Sequence, residues 1–91
     1  MNSLDYLEYI KTKPCLVCSK KAEPHHLLNI GMGRDRKKPL REHYTAIPLC
    51  RADHIEIHSI GIKRFSVNLD VWKEAFNLLL EYYESNTWIW L

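Results

Sequence analysis

Apolar and polar residues alternate with helical spacing at both ends of the chain, and the pattern between the two ends is shorter and less regular. Leu4, Leu7 and Ile10 recur on one side of a predicted N-terminal helix. We expect this helix to begin at Ser3, as its cap, and to end before Pro14. The pattern therefore places a first amphipathic helix within the first dozen residues.

A longer amphipathic pattern covers about residues 69–84 and predicts a C-terminal helix capped by Asn68 or Asp70. Charged and amide side chains fill one side of this helix, so the apolar stripe on the other side is expected to face the core. The stripe consists of Leu69, Trp72, Phe76, Leu79, Leu80 and Tyr83. The tail "WIWL" (88–91) follows, and we expect it either to fold back onto the domain or to contact a partner.

The middle of the chain predicts two short strands followed by a helix. We expect the first strand near His25–Leu28 and the second in "YTAIPL" (44–49). The loop between them, residues 29–43, is long for so small a domain. A helix should follow from about residue 51 to Ile60, with Gly61 as its C-terminal cap. The predicted fold class is therefore α+β.

A length of 91 residues, 46% of them hydrophobic, fits one globular domain over 1–91. Domains this small are often stabilised by a metal ion or by a partner subunit. No stretch reaches the roughly 18 apolar residues of a membrane span, and the N-terminus lacks the basic and then apolar pattern of a signal peptide. We therefore expect a cytoplasmic protein without membrane contacts.

The net charge of +2 conceals a strongly basic centre. Residues 11–64 contain 12 of the 13 lysines and arginines but only 5 of the 11 acidic residues, whereas both flanks are acidic. Five basic residues lie in the predicted loop, namely Arg34, Arg36, Lys37, Lys38 and Arg41. A basic centre in a compact domain is typical of nucleic-acid binding, although an ordinary solvated surface gives the same composition.

All three cysteines and all five histidines lie between residues 15 and 58, and this crowding indicates a metal site. "CLVC" supplies Cys15 and Cys18, and "CRAD" supplies Cys50 together with Asp53 at the spacing of a second thiolate. These residues offer the four ligands of a structural zinc ion, with one carboxylate oxygen in place of a sulfur. The alternative is that Asp53 caps the following helix and that the fourth ligand lies elsewhere.

The histidines form a second candidate group. His54 and His58 are four residues apart and share one face of the predicted helix. His25 and His26 are neighbours on an extended segment, so their side chains point to opposite sides and should have different roles. One of them can complete a three-histidine metal site with an open position, which leaves the other as a general base. The alternative is a pair of surface histidines beside a zinc knuckle.

The combined pattern "CLVC … PHHLL … IPLC … H…H…G" resembles the HNH endonuclease superfamily over about residues 13–83. Two cysteine knuckles with a doubled histidine and HxxxH are similar to phage-associated HNH nucleases, including RecA-dependent ones used in recombination. The resemblance implies a small ββα-metal core over about residues 13–62 with zinc knuckles. It is flanked by an N-terminal helix and by a longer C-terminal helix, about residues 69–84.

The resemblance also implies a role for each metal-binding position. Cys15, Cys18, Cys50 and Asp53 would hold structural Zn²⁺; His25, His54 and His58 would hold a catalytic divalent cation (Mg²⁺, Mn²⁺, Ni²⁺ or Zn²⁺); His26 would be the general base. Two positions depart from the family pattern. Asp53 stands where Cys or His is usual, and the Asn or His of the second strand falls near Thr45, with His43 nearby.

The implied function is metal-dependent hydrolysis of DNA phosphodiester bonds to 5′-phosphate and 3′-hydroxyl ends, in a bacterial or phage-infected cell. The basic loop would bind phosphates with weak sequence specificity, because it contains nothing that resembles a base-reading code. The expected partners are DNA and a recombination protein such as RecA. Two alternatives stay open: a non-catalytic zinc module that binds DNA or protein, and a scaffold that forms a homodimer through the C-terminal helix and tail.

Overall fold

A computed structural model of the chain describes residues 2–87. Its elements are, in chain order, α1 (Ser3–Lys11), β1 (Glu23–His26), a 3-10 helix (Arg41–Thr45), β2 (Ala46–Leu49), α2 (Arg51–Ile60), α3 (Ile62–Phe65) and α4 (Val71–Thr87). The two strands pair antiparallel, with Glu23 opposite Leu49 and His26 opposite Ala46. The predicted α+β class is therefore confirmed, while the last part of the predicted loop forms the 3-10 helix.

The cap of α1 is Asn2 rather than Ser3, so the predicted cap was wrong. The side chain of Asn2 accepts a hydrogen bond from Leu4 N at 2.9 Å, and Asp5 Oδ2 accepts one from Asn2 N at 2.9 Å. This reciprocal capping box satisfies backbone donors that would otherwise lack partners in the first turn. Ser3 lies inside that turn and is buried.

Helix α2 has the predicted bounds and ends at Gly61. The φ angle of Gly61 is +86°, in the left-handed region that favours glycine, and Gly61 N donates to Ile57 O at 2.9 Å. The chain then forms α3, a four-residue helix that the sequence pattern did not predict. Phe65, at the end of α3, is buried in the core.

Helix α4 begins after Asp70, whose carboxylate accepts a hydrogen bond from Lys73 N at 3.1 Å. The predicted core-facing stripe was wrong, because most of its members are exposed. The exposed members are Trp72, Phe76, Leu80 and Tyr83. The buried side lies about a third of a turn away on the same helix. It is formed by Val71, Ala75 and Leu78.

The core lies around β2, which is buried along its whole length. Helices α1 and α4 and the 3-10 helix pack together around it, and α2 packs against both strands. The largest fully buried side chains include Tyr6, Ile10, Ile47, Leu49 and Val71. This arrangement fixes β1 and α2 side by side, which is where the candidate sites lie.

Within residues 2–87, no helix combines the length and the apolar composition needed to cross a lipid bilayer. The tail "WIWL", for which we expected either a contact with the domain or a contact with a partner, lies outside the described residues.

Candidate metal centres

The first candidate metal centre joins the turn before β1 to the start of α2. The ligand atoms of four residues lie within 4.8 Å of one another, and these are Cys15, Cys18, Cys50 and Asp53. Asp53 Oδ2 lies 3.0 Å from Cys50 Sγ and 3.3 Å from Cys15 Sγ. We call these four residues the thiolate group; the structure brings together every residue that the sequence pattern placed in it.

Backbone hydrogen bonds shape the turn that presents the first two sulfurs. Cys15 N donates to Lys20 O at 2.8 Å, and Ser19 N donates to Cys15 O at 2.9 Å. Ser19 adopts a φ angle of +63°, which closes the turn. Leu16 N donates to Pro48 O at 3.1 Å and so holds the turn against β2. Because β2 leads directly into α2, this hydrogen bond places the two sulfurs beside the start of α2.

The carboxylate of Asp53 contacts sulfur, and the helix α2 begins with Cys50 as its cap residue. The hydrogen bond from the Cys50 thiol to this carboxylate raises the pKa of Cys50 to about 11, whereas a backbone hydrogen bond from Lys20 lowers the pKa of Cys18. Since a metal ion binds thiolates, it would displace the thiol protons of the group. The metal affinity of the thiolate group should therefore fall as the pH is lowered.

The second candidate metal centre lies between β1 and α2. The ring centroid of His25 lies 4.7 Å from that of His54 and 4.8 Å from that of His58. The two rings on α2 stack at 4.9 Å because residues four apart share a helix face. One nitrogen from each ring lies within 4.8 Å of the others. We call these three residues the histidine group.

Burial keeps His25 and His54 of the histidine group in the form that binds metal. Desolvation, followed by the neighbouring imidazoles, lowers the pKa of His25 to about 4, and desolvation also lowers the pKa of His54. These rings are therefore predominantly neutral at pH 7, and neutral imidazole is the metal ligand. His58 is exposed, which leaves one side of the group open.

Glu23 is a neighbour of the histidine group that the sequence reasoning missed. Its Oε1 lies 3.5 Å from His54 Nδ1, long for a hydrogen bond, and 3.3 Å from an Arg51 guanidinium nitrogen. A carboxylate beside the second ring nitrogen is the usual means of orienting a metal-binding histidine. Glu23 lies two positions before His25 on β1, so strand alternation could have placed both side chains on one face.

His26 lies on the other face of β1, as strand alternation predicts. Its Nε2 is 2.8 Å from His43 Nδ1, and His43 Nε2 is 2.9 Å from Lys38 O. Burial, followed by the neighbouring ring of His43 and the guanidinium of Arg36, lowers the pKa of His26 to about 4. His26 is therefore neutral at pH 7 and able to accept a proton. The sequence places His43 near the second strand but does not predict its contact with His26.

An open cavity of about 450 Å³ borders both the histidine group and the ring of His26. Its lining includes His25, His26, His54, His58 and Arg36. A phosphate group in this cavity would lie beside the histidine group, a neutral imidazole and a guanidinium. The cavity thus combines candidate groups for metal binding, proton transfer and anion binding.

The five basic residues of the loop have different surroundings. Arg34 forms an ion pair with Glu42, whose carboxylate is buried, and Arg41 Nε lies 3.9 Å from the same carboxylate. A buried carboxylate needs such a partner, so Arg34 has a structural role that the sequence did not predict. Lys37 and Lys38 are exposed. Their backbone N–H groups donate to Asp35, at 2.9 Å and 3.1 Å.

Comparison with known proteins assigns the chain to a family. The chain belongs to the family described as "Protein of unknown function (DUF968)", whose model matches residues 1–77. It is similar to "Uncharacterized protein YdfU" of Escherichia coli (strain K12), with 38% identity over 55 residues. That alignment covers 59% of this chain and 15% of the relative, so the chain spans a small part of that protein's length. No solved structure matches the chain.

Proposed function

We propose that this member of the DUF968 family is a metal-dependent DNA endonuclease of the HNH type, with weak sequence specificity and a role in phage or bacterial recombination or DNA processing. The proposal depends mainly on one observation: the histidine group, the neutral ring of His26 and the guanidinium of Arg36 border one cavity. The histidines lie on β1 and α2 and Arg36 lies in the loop after β1, and the order of two antiparallel strands followed by a helix supports a ββα-metal fold.

The thiolate group is proposed to hold structural Zn²⁺. Three thiols and one carboxylate oxygen form a four-ligand set that zinc accepts. This ion would fasten the cysteine turn to the first turn of α2. Because His54 directly follows Asp53, the same contact fixes the histidine group relative to β1.

The histidine group is proposed to hold the catalytic divalent cation. Imidazole suits Zn²⁺ and Ni²⁺ better than Mg²⁺, which prefers oxygen ligands, and a phosphate or water can supply oxygen ligands at the open side next to His58. A cation bound there supplies Lewis-acid stabilisation of the charge that develops on the phosphate and on the leaving 3′-oxygen.

The chain's own side chains perform the remaining tasks in this proposal. His26 accepts a proton from the attacking water, for which its neutral state at pH 7 is the required form. Arg36 binds an oxygen of the phosphate in the cavity, and Lys37, Lys38 and Arg41 hold flanking phosphates. The assignment of Arg34 to phosphate binding is weaker, because its guanidinium is already paired with Glu42.

The proposal is tested by incubating supercoiled plasmid with the protein and Mg²⁺, Mn²⁺, Ni²⁺ or Zn²⁺, with and without EDTA. We expect nicking that requires the metal and disappears in His26→Ala, while metal content and DNA affinity stay near wild type. His54→Ala should lose nicking together with binding of the catalytic cation. Lys73→Ala, on the exposed side of α4, serves as the control that should cut normally.

Two results would contradict the proposal. Undiminished cutting by His26→Ala would show that His26 is not the base. One zinc ion per chain, with DNA binding but no nicking under any metal, would favour the non-catalytic zinc module. A separate assay, in which RecA filaments on single-stranded DNA are added to the protein and plasmid, tests the proposed recombination partner by whether nicking increases.

A further inference from the structure

His43 is fully buried, and both of its ring nitrogens have hydrogen-bond partners. Its Nε2 lies 2.9 Å from the carbonyl oxygen of Lys38, and its Nδ1 lies 2.8 Å from His26 Nε2. His43 is placed there by the 3-10 helix that precedes β2, while His26 belongs to β1. A chain of two hydrogen bonds therefore connects the basic loop, through His43, to His26.

The chemistry of these partners fixes where the protons lie. A carbonyl oxygen only accepts, so His43 Nε2 must carry a hydrogen and donate it to Lys38 O. Within residues 2–87 no carboxylate forms an ion pair with the buried His43, whose two polar partners are a carbonyl oxygen and a second imidazole. A neutral His43 therefore has an unprotonated Nδ1, which accepts a hydrogen bond from His26 Nε2. His26 is then left with Nδ1 as its unprotonated nitrogen.

Thr45 contacts the chain that leaves β1. Its Oγ1 accepts a hydrogen bond from Leu28 N at 3.1 Å and donates one to Glu42 O at 2.7 Å. Thr45 O also accepts a hydrogen bond from Leu27 N at 3.3 Å. The two polar contacts of His43 are thus separate from those that brace the backbone after the strand.

We propose that His43 is a positioning residue that keeps His26 in the tautomer with its hydrogen on Nε2, so that Nδ1 is the nitrogen that acts as the base. This inference rests on the proposed nuclease function and deepens it. In the reaction, one water proton moves to His26 Nδ1 while the water oxygen bonds to phosphorus and the bond to the 3′-oxygen breaks. The 3′-oxygen takes a proton from solvent, and His26 later returns its proton to solvent.

The hydrogen bond to His43 also stabilises the charged state that the base reaches. When His26 Nδ1 takes the proton, its Nε2–H bond to His43 becomes charge-assisted, and such bonds are stronger than neutral ones. Because His43 Nε2 is held by Lys38 O, the ring cannot turn to offer a hydrogen to His26 instead. The carbonyl of a residue in the DNA-contacting loop thereby fixes the tautomer of the base.

Two matched variants separate this role from a structural one. In His43→Asn, the side-chain oxygen occupies the place of Nδ1 and can still accept from His26. In His43→Gln, the amide can still donate to Lys38 O but offers no acceptor at the place of Nδ1. We expect His43→Asn to keep kcat within a fewfold of wild type, and His43→Gln to lower kcat by about 10- to 100-fold with KM and metal content unchanged.

A spectroscopic measurement tests the proton placement without any activity. In ¹⁵N-histidine-labelled, zinc-loaded protein, the nitrogen shifts of His26 should show Nε2 protonated in wild type and in His43→Asn. A mixture of tautomers is expected in His43→Gln. A His26 ring protonated on Nδ1 in the wild type, or equal kcat values for the two variants, would overturn the inference.

The two proposals can fail separately. A wild-type protein that nicks no plasmid under any metal would overturn the nuclease function and the role of base, while the nitrogen shifts would still decide the hydrogen-bond chain. Active enzyme with His26 protonated on Nδ1 would overturn only the positioning role of His43.

Discussion

The carboxylate of Asp53 contacts the sulfurs of two cysteines, at the position where a second CxxC turn would supply a thiolate. An oxygen ligand suits zinc less well than sulfur, but it completes a set of four ligands with the three cysteine sulfurs and carries the same charge as the thiolate that it replaces. The identity of one side chain therefore sets the affinity of the whole thiolate group.

We predict that Asp53→Cys keeps the fold and binds zinc more tightly, whereas Asp53→Ala loses zinc and much of its thermal stability. Metal binding contributes on the order of 10 kcal/mol or more to folding in small zinc domains, whereas loss of a helix cap costs about 1 kcal/mol. Two measurements on the variants, zinc content after a mild chelator challenge and the thermal melting temperature, distinguish a zinc ligand from a helix cap. Full zinc retention by Asp53→Ala would contradict the assignment of Asp53 as a ligand.

The lowered pKa values of His25 and His26 predict that the protein loses stability on acidification when a mild chelator has left the histidine group without an ion and the thiolate group with its zinc. In the unfolded chain both rings titrate near 6.5, and in the fold near 4, so the unfolded state binds more protons between these values. The free energy of unfolding should fall as the pH drops from 6.5 to 4, by at most about 1.4 kcal/mol per pH unit for each ring.

Urea unfolding at several pH values between 7 and 4 measures this slope. His25→Gln removes one titrating ring and provides the comparison, since the carboxylates of the protein titrate equally in both forms. An identical slope in wild type and His25→Gln would contradict the prediction.

At the scale of elements, the loop between the strands contains two kinds of basic residue. Arg34 is fastened to a buried carboxylate, while Lys37 and Lys38 are exposed. The first kind shapes the loop and the second can meet the phosphate backbone of DNA. Only the second kind should contribute to the dependence of DNA binding on salt.

We predict that Lys37→Ala combined with Lys38→Ala weakens DNA binding equally over different sequences and lowers the salt slope by about two, because two phosphate contacts are lost. Lys63→Ala combined with Lys73→Ala removes the same charge from α3 and α4 and should leave the slope unchanged. Fluorescence anisotropy at several salt concentrations measures both. Equal effects of the two double variants would show that only net charge matters.

Elements whose ends are set by nearby residues could be predicted from the sequence, whereas features that depend on tertiary packing could not. Helix α2 was predicted to its ends because it follows the second predicted strand directly and Gly61 ends it. The face of α4 was not, because two apolar stripes occupy the same helix and periodicity cannot tell which one has a partner. The small side chains of Val71 and Ala75 allow close packing on the core, whereas the larger ring of Phe76 stays outside.

In the candidate site, too, the features set by nearby residues were the ones that the sequence could predict. The pairs Cys15–Cys18, Cys50–Asp53 and His54–His58 could be predicted, because each depends on a short spacing on one turn or one helix, whereas the family resemblance joined these pairs into the thiolate and histidine groups. The contact between His26 and His43 and the ion pair between Arg34 and Glu42 could not. Both depend on how the long loop folds back, and no regular spacing encodes that path.

At the scale of the molecule, α4 presents an exposed apolar face among the described residues. Trp72, Phe76, Leu80 and Tyr83 follow one another at intervals of four, four and three residues and form an apolar seam along one face of the helix. Phe76 is 61% and Tyr83 is 66% exposed. We propose that two copies of the chain pair through this face.

Sedimentation equilibrium tests this proposal. The wild-type mass should rise with concentration from 10.8 kDa toward twice that value. Phe76→Ser should shift the rise to higher concentration, because it removes an aromatic ring from the centre of the seam. Lys73→Ser, on the polar side of the same helix, should behave as wild type. A monomeric wild type at every concentration would exclude the homodimer.

The thiolate group and the histidine group join the same two parts of the chain. Cys18 with Cys50, and His25 with His54, each enclose about thirty residues, and the two enclosed stretches share residues 26–49. Each ion would therefore act as a cross-link, and the first would remove on the order of 3 kcal/mol of chain entropy from the unfolded state. The second would close a loop that is already closed, so the two ions should bind cooperatively.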